Sequence, residues 1–136
     1  MSLGIGIIGA GGIARAHIRG YREIPEATVK AVYDVEPDKA EALAKEFGVD
    51  AVSDLEALLG RSDIDAVSVC TPHAAHESAV VAAARAGKHV LCEKPLSTTS
   101  ESGRRMIEAA RRADVTLMVA QTQRFWPANA KVKELL

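Results

Sequence analysis

Apolar residues in this chain fall in short runs separated by longer amphipathic stretches, and the alternation continues to the end. A strand buried on both faces reads as an unbroken apolar run. A helix packed on one side repeats its apolar positions with the helical period. On that basis the first strand spans about Leu3–Ile8, and the helix after it presents Ala14, His17, Ile18 and Tyr21 on one face before Pro25 stops it. A second strand covers about Thr28–Asp34. A helix opened by Pro37 then buries Ala40, Leu43, Ala44 and Phe47, and Gly48 ends it. Ala51–Val52 forms a short strand, and Ser53-Asp54-Leu55-Glu56 reads as a capping box that starts the third helix.

The fourth strand is Ala66–Cys70, followed by a helix carrying His76, Ala79, Val80, Ala83 and Ala84 and closed by Gly87. The fifth strand is about His89–Cys92. Thr98 with Glu101 reads as a further capping box, opening a helix with Met106, Ile107 and Ala110 inward. The sixth strand is about Thr116–Ala120, and a last helix begins at Pro127. Alternating strands and helices predict an α/β fold, a doubly wound parallel sheet with right-handed crossovers and strand order 3-2-1-4-5-6. Ligands of such a sheet sit outside the carboxyl ends of the strands, at the switch between strands one and four. Polar and ionisable residues gather at those ends, while the strand interiors are almost wholly apolar.

The first strand runs into Gly9-Ala10-Gly11-Gly12-Ile13-Ala14, and Asp34 follows twenty residues after that segment. Glycines at 9 and 11 permit a sharp turn and close approach of a pyrophosphate to the backbone. Small Ala14 lets helix and strand pack tightly, and the helix N-terminus offers free N–H groups to phosphate. Asp34, at the end of the second strand, is placed to accept hydrogen bonds from a ribose diol. The segment therefore predicts dinucleotide binding. No Arg or Lys immediately follows Asp34, and Glu36 and Asp38 lie close by, so NAD is expected ahead of NADP. A P-loop is excluded, since no Gly-Lys-Ser/Thr follows the glycines.

Composition narrows the function classes. The 136 residues make one domain, and 48% hydrophobic content with 4% aromatics suits a core of Ala, Val, Ile and Leu. The net charge is −1 and the basic residues pair only at Arg104-Arg105 and Arg111-Arg112, which leaves no basic face for nucleic acid. Two cysteines and no long apolar run point to a cytoplasmic protein with reduced thiols and no membrane partner. Cys70, His73, His76 and Cys92 do not follow a standard zinc spacing, and no metal site is expected. His17 reads as structural.

Glu93-Lys94-Pro95 is a second candidate cluster. A lysine at the end of a central strand faces the nicotinamide crevice, where it can exchange a proton with a substrate oxygen. Partial burial would suit it to that role. Three segments carry a resemblance: Thr71-Pro72-His73-Ala74-Ala75-His76, Ala86-Gly87-Lys88-His89-Val90-Leu91-Cys92-Glu93-Lys94-Pro95, and Gln121-Thr122-Gln123-Arg124-Phe125. With the glycine segment, they resemble the glucose–fructose oxidoreductase / inositol dehydrogenase / rhizopine-catabolism (Gfo/Idh/MocA) family over nearly the whole chain.

The resemblance implies an NAD(P)-binding Rossmann domain over residues 1–122, with 123–136 starting a linker helix into a substrate domain that is absent. It implies oxidation or reduction of a sugar, cyclitol or polyol hydroxyl by hydride transfer, with Lys94 catalytic. It assigns the cofactor to Gly9, Gly11, Gly12, Ile13, Ala14, Asp34, Thr71, Pro72, His73, His76, Glu93, Lys94 and Arg124. Asn is the more frequent residue in the family at the position of His73. The Lys94–Pro95 bond resembles one that is often cis in the family. The partner implied is a small-molecule substrate, with a homo-oligomer at full length, and the chain alone is expected to bind cofactor without turnover. Phe125, Trp126 and the last helix are expected to expose apolar surface and favour self-association or a disordered C-terminus. The competing expectation from another class is a non-catalytic dinucleotide-sensing module.

Overall fold

The computed structural model describes residues 2–136. Its strands are β1 (Leu3–Ile8), β2 (Ala27–Tyr33), β3 (Asp50–Ala51), β4 (Ala66–Val69), β5 (His89–Cys92) and β6 (Leu117–Val119). They form one sheet in the order β3-β2-β1-β4-β5-β6, parallel throughout, as the sequence predicts. The helices are α1 (Gly12–Arg22), α2 (Pro37–Phe47), α3 (Leu55–Leu59), α4 (His76–Arg85), α5 (Ser100–Arg112) and α6 (Pro127–Leu135). Short 3-10 turns cover His73–Ala75 and Thr122–Phe125.

Successive strand residues point to opposite faces, so the central strand β1 feeds two cores. Ile7 packs with Ile18, Leu43 and Phe47 beneath α1 and α2. Ile8 packs with Val67, Val69, Val80 and Met106 beneath the helices of the other layer. Ile7, Ile18 and Val67 are completely buried; burying a side chain of this size contributes about 1.5–3 kcal/mol. Gly4 allows β1 to lie against the turn that precedes β4. A Cβ added there would sit 1.8 Å from the carbonyl oxygen of Asp63.

Several expectations move by one residue, each for a local reason. The cap of α3 is Asp54, whose carboxylate accepts from the Ala57 N–H at 2.6 Å, rather than Ser53. The Ser53 hydroxyl instead donates to Asp54 Oδ2. The cap of α5 is Thr99, accepting from the Ser102 N–H at 3.1 Å, rather than Thr98. Ile107 is 40% exposed, not inward. Met106 takes the core position, and the next residue lies about 100° round the helix. β2 stops at Tyr33, where its pairing with Ile8 of β1 ends, and the Asp34 side chain turns back to bond backbone N–H groups.

No helix among the described residues is long and apolar enough to cross a membrane. α6 is helical but carries no buried residue; Val132 and Leu135 on it, and Phe125 and Trp126 before it, are exposed. Ile7→Ala is expected to lower the unfolding free energy by about 2–5 kcal/mol, measured by urea titration. Self-association through the exposed C-terminal apolar residues is expected to appear as concentration-dependent sedimentation. A strictly monomeric boundary would contradict it.

Candidate functional site

The carboxyl ends of β1, β2 and β4 converge on a groove of about 580 Å³. Gly9 forms its floor. Its φ of 98° lies in the region that side chains avoid, and a Cβ there would come within 2.8 Å of Cys70 and Thr71 backbone atoms. The Gly9 N–H donates to the Tyr33 carbonyl at 2.8 Å, so the loop is tied to β2 while pressed against the end of β4. Gly11 plays a different part from the sharp turn expected of it. Its φ of −72° is ordinary, and a Cβ at Gly11 or Gly12 would meet nothing within 4 Å. The glycines leave open space in front of the first turn of α1. That turn has no side-chain cap and no acidic residue, so its N–H groups face the groove without a built-in anion.

Asp34 does more than wait for a ligand. Its Oδ2 accepts from the Ala10 N–H at 2.6 Å and its Oδ1 accepts from the Glu36 N–H at 2.9 Å. One carboxylate thereby fixes the glycine loop and the turn after β2. Two oxygens offer about four acceptor sites, which leaves capacity for hydroxyl donors. Thr71 also lines the groove, and its hydroxyl oxygen is buried without a hydrogen-bond partner. An orphaned hydroxyl, an open cradle before a helix N-terminus and a carboxylate at the rim suit a dinucleotide. Pro72 and Ile13 complete the walls named from the sequence, while Ala14 is fully buried behind the loop as a packing residue.

The other candidates lie elsewhere. His73 is exposed in its 3-10 turn beside the groove but not on its wall. His76 is completely buried. Its ring nitrogens lie 3.1 Å from the Thr71 carbonyl and 3.0 Å from the Pro95 carbonyl, so its expected place on the cofactor groove is taken by a tie between two loops. Arg124 is exposed on a separate hollow with Leu117, Phe125 and Lys133, because its 3-10 turn follows the edge strand β6. Lys94 follows β5 and is exposed, so the partial burial expected for it is absent. The Lys94–Pro95 bond is cis.

Glu93 is buried, at 8% exposure, and faces a second, apolar hollow along α1. Its carboxylate is not paired with the Lys94 amine. Oε1 lies 2.9 Å from His17 Nε2, and Oε2 accepts from the Lys94 N–H at 3.1 Å. His17 Nδ1 lies 3.1 Å from the hydroxyl of Ser68, which lies 2.8 Å from the Tyr21 hydroxyl. Ser68 is completely buried in β4. Sequence reading missed it, although a serine inside Ala66-Val67-Ser68-Val69 is the polar exception in an apolar strand. Among the described residues, no group of three or more His, Cys, Asp or Glu is placed to hold a metal ion.

The sequence matches the model of the oxidoreductase family, NAD-binding Rossmann fold (Gfo/Idh/MocA), over residues 3–121. The chain belongs to this family. Myo-inositol 2-dehydrogenase of Thermotoga maritima is 38% identical over 131 residues, which is 96% of this chain and 39% of that protein. The chain therefore spans well under half of its curated relative. A 3-ketoreductase from Actinomadura kijaniata, solved with NADP and TDP-benzene, superposes with a TM-score of 0.93 at 32% identity, over 99% of this chain and 42% of that one. A protein of gentamicin A biosynthesis, solved with NAD, gives a TM-score of 0.94 at 28% identity, over 98% of this chain and 38% of that one. The Gfo/Idh/MocA domain is thus an NAD(P)-binding fold whose solved neighbours include complexes of either dinucleotide.

The two thiols of this Gfo/Idh/MocA domain are free and buried. Burial, together with the nearby Glu93 carboxylate, pushes both Cys70 and Cys92 from 9.0 up to about 12. Native protein is expected to resist Ellman's reagent near neutral pH, with both thiols reacting after denaturation. Between the ordinary thiol value of 9.0 and about 12, the unfolded chain gives up protons that the native chain keeps. Stability is therefore expected to fall as pH rises through that window. Urea midpoints should show it, with a shallower fall in a Cys70→Ala/Cys92→Ala variant.

Proposed function

We propose that this chain is the cofactor-binding part of an NAD-dependent oxidoreductase acting on a hydroxyl of a sugar, cyclitol or related polyol. The observation that carries the reading is the groove at Gly9, with its open helix start, Asp34 at one side and the orphaned Thr71 hydroxyl at the other. The names of the relatives supply the substrate class, since they include a myo-inositol dehydrogenase and a 3-ketoreductase. They are oxidoreductases, and they give the sensor alternative no support.

In this reading the N–H groups of Gly12 and Ile13 hold the pyrophosphate, and Asp34 accepts from the adenosine ribose. The bound dinucleotide would supply the hydride acceptor. Thr71 and Pro72 line the path toward β5, where Lys94 takes the proton from the substrate hydroxyl, or returns it in the reverse direction. Glu93 fixes the backbone from which Lys94 departs. His73, beside the groove, and Arg124, on its separate hollow, meet the cofactor or the substrate domain only in the longer protein. The substrate contacts, homo-oligomerisation and turnover belong to that longer protein, in a cytoplasmic setting.

NAD is favoured over NADP on charge. Asp34 would repel a 2′-phosphate, and Glu36 lines the same wall. The cations on that wall are already engaged: Lys39 with Glu36 at 2.5 Å and Arg15 with Glu46 at 2.8 Å. Calorimetric titration of the chain is expected to give tighter binding of NAD than of NADP. Asp34→Ala should weaken NAD about tenfold, the effect of losing roughly 1.4 kcal/mol. Tighter binding of NADP, or an unaltered affinity in the variant, would overturn the assignment of Asp34.

A further inference from the structure

The buried chain Tyr21–Ser68–His17–Glu93 joins residues far apart in sequence and ends on the backbone of the proposed proton-exchanging lysine. For an ionised carboxylate and a neutral imidazole, one direction satisfies every group. An ionised carboxylate only accepts. Glu93 Oε2 is occupied by the Lys94 N–H, and Oε1 faces His17 Nε2, which must therefore donate. With the His17 ring neutral, Nδ1 accepts from the Ser68 hydroxyl, and Ser68 accepts from the Tyr21 hydroxyl. Burial pushes the Tyr21 phenol above its ordinary 10.0, so its O–H stays a donor. In this order each group has its partner.

We propose that His17 is a positioning residue: it draws the Glu93 carboxylate inward and keeps it off the adjacent Lys94 amine, leaving that amine free for substrate. The proposal rests on the reading of Lys94 given above. His17 and Glu93 side chains are 9% and 11% exposed, so the pair is shielded from competing water. Without His17, Oε1 loses its partner, one residue along the chain from the exposed Lys94. His17 also stands on the helix whose first turn faces the groove, so one rigid element aligns the phosphate cradle with the lysine turn.

The test is competitive acylation of Lys94 with trace acetic anhydride, read by mass spectrometry relative to Lys30 in the same 136-residue chain. An amine paired with a carboxylate is protonated for more of the time and reacts more slowly. Asn at position 17 can reach only toward Ser68, whereas Gln carries an N–H at about the reach of Nε2. His17→Asn is expected to slow Lys94 labelling about two- to fivefold, the strength of one exposed ion pair. His17→Gln should label as the parent does, and His17→Asn/Glu93→Gln should lose the slowing, because no carboxylate remains to pair.

Equal labelling in His17→Asn and parent, equal slowing in His17→Gln, or slowing that persists in the double variant would each overturn the proposal. If His17→Asn does not fold, Ser68→Ala removes the bonds to His17 Nδ1 and to the Tyr21 hydroxyl while leaving Nε2 on Glu93, and should give a smaller slowing; no slowing would count against the proposal. Labelling needs no cofactor. A chain that fails to bind NAD would defeat the dinucleotide reading while leaving the comparison at Lys94 intact.

Discussion

Three strand ends meet at Gly9, and no side chain fits between them. The constraint is steric: the loop after β1 is hydrogen-bonded to the end of β2 and pressed against the end of β4. Because the loop lies so close, α1 starts with its free N–H groups over the crevice where the strand order reverses. Asp34 secures the same junction from the side, through the Ala10 N–H. Displacing the loop would move the cradle, the rim carboxylate and the helix that carries His17 together.

The structure separates two kinds of polar group. Around the groove, donors and acceptors are left open: the first turn of α1 and the Thr71 hydroxyl. Beneath it, the donors are committed, with His76 tying the two loops and Lys88 donating to the carbonyls of Arg61 and Ile64. Buried polar groups are costly unless partnered. A partnered interior with an open rim is what a binding site on a rigid scaffold requires. The Glu93 carboxylate lies on the border between the two, held from inside while bracing the turn that presents Lys94 outside.

Much of this was readable from the chain. Strand order followed from the alternation of apolar runs and helical stretches, and the glycine loop with Asp34 from local spacing alone. Local rules failed by one residue where two capping residues compete, as at Ser53 against Asp54 and Thr98 against Thr99. Tertiary facts were out of reach. His17 meets Ser68 and Glu93 across 51 and 76 positions, a contact no spacing encodes. The exposure of Lys94 and the distance of Arg124 from the groove depend on how the ends of β5 and β6 are placed, which periodicity does not report.

Backbone amide resonances followed during addition of NAD test the central claim most directly. The account predicts that the largest shifts fall on Gly11, Gly12, Ile13, Asp34 and Thr71, with the α4–α5 face unmoved. Shifts confined to other surfaces, or none at saturating NAD, would contradict it.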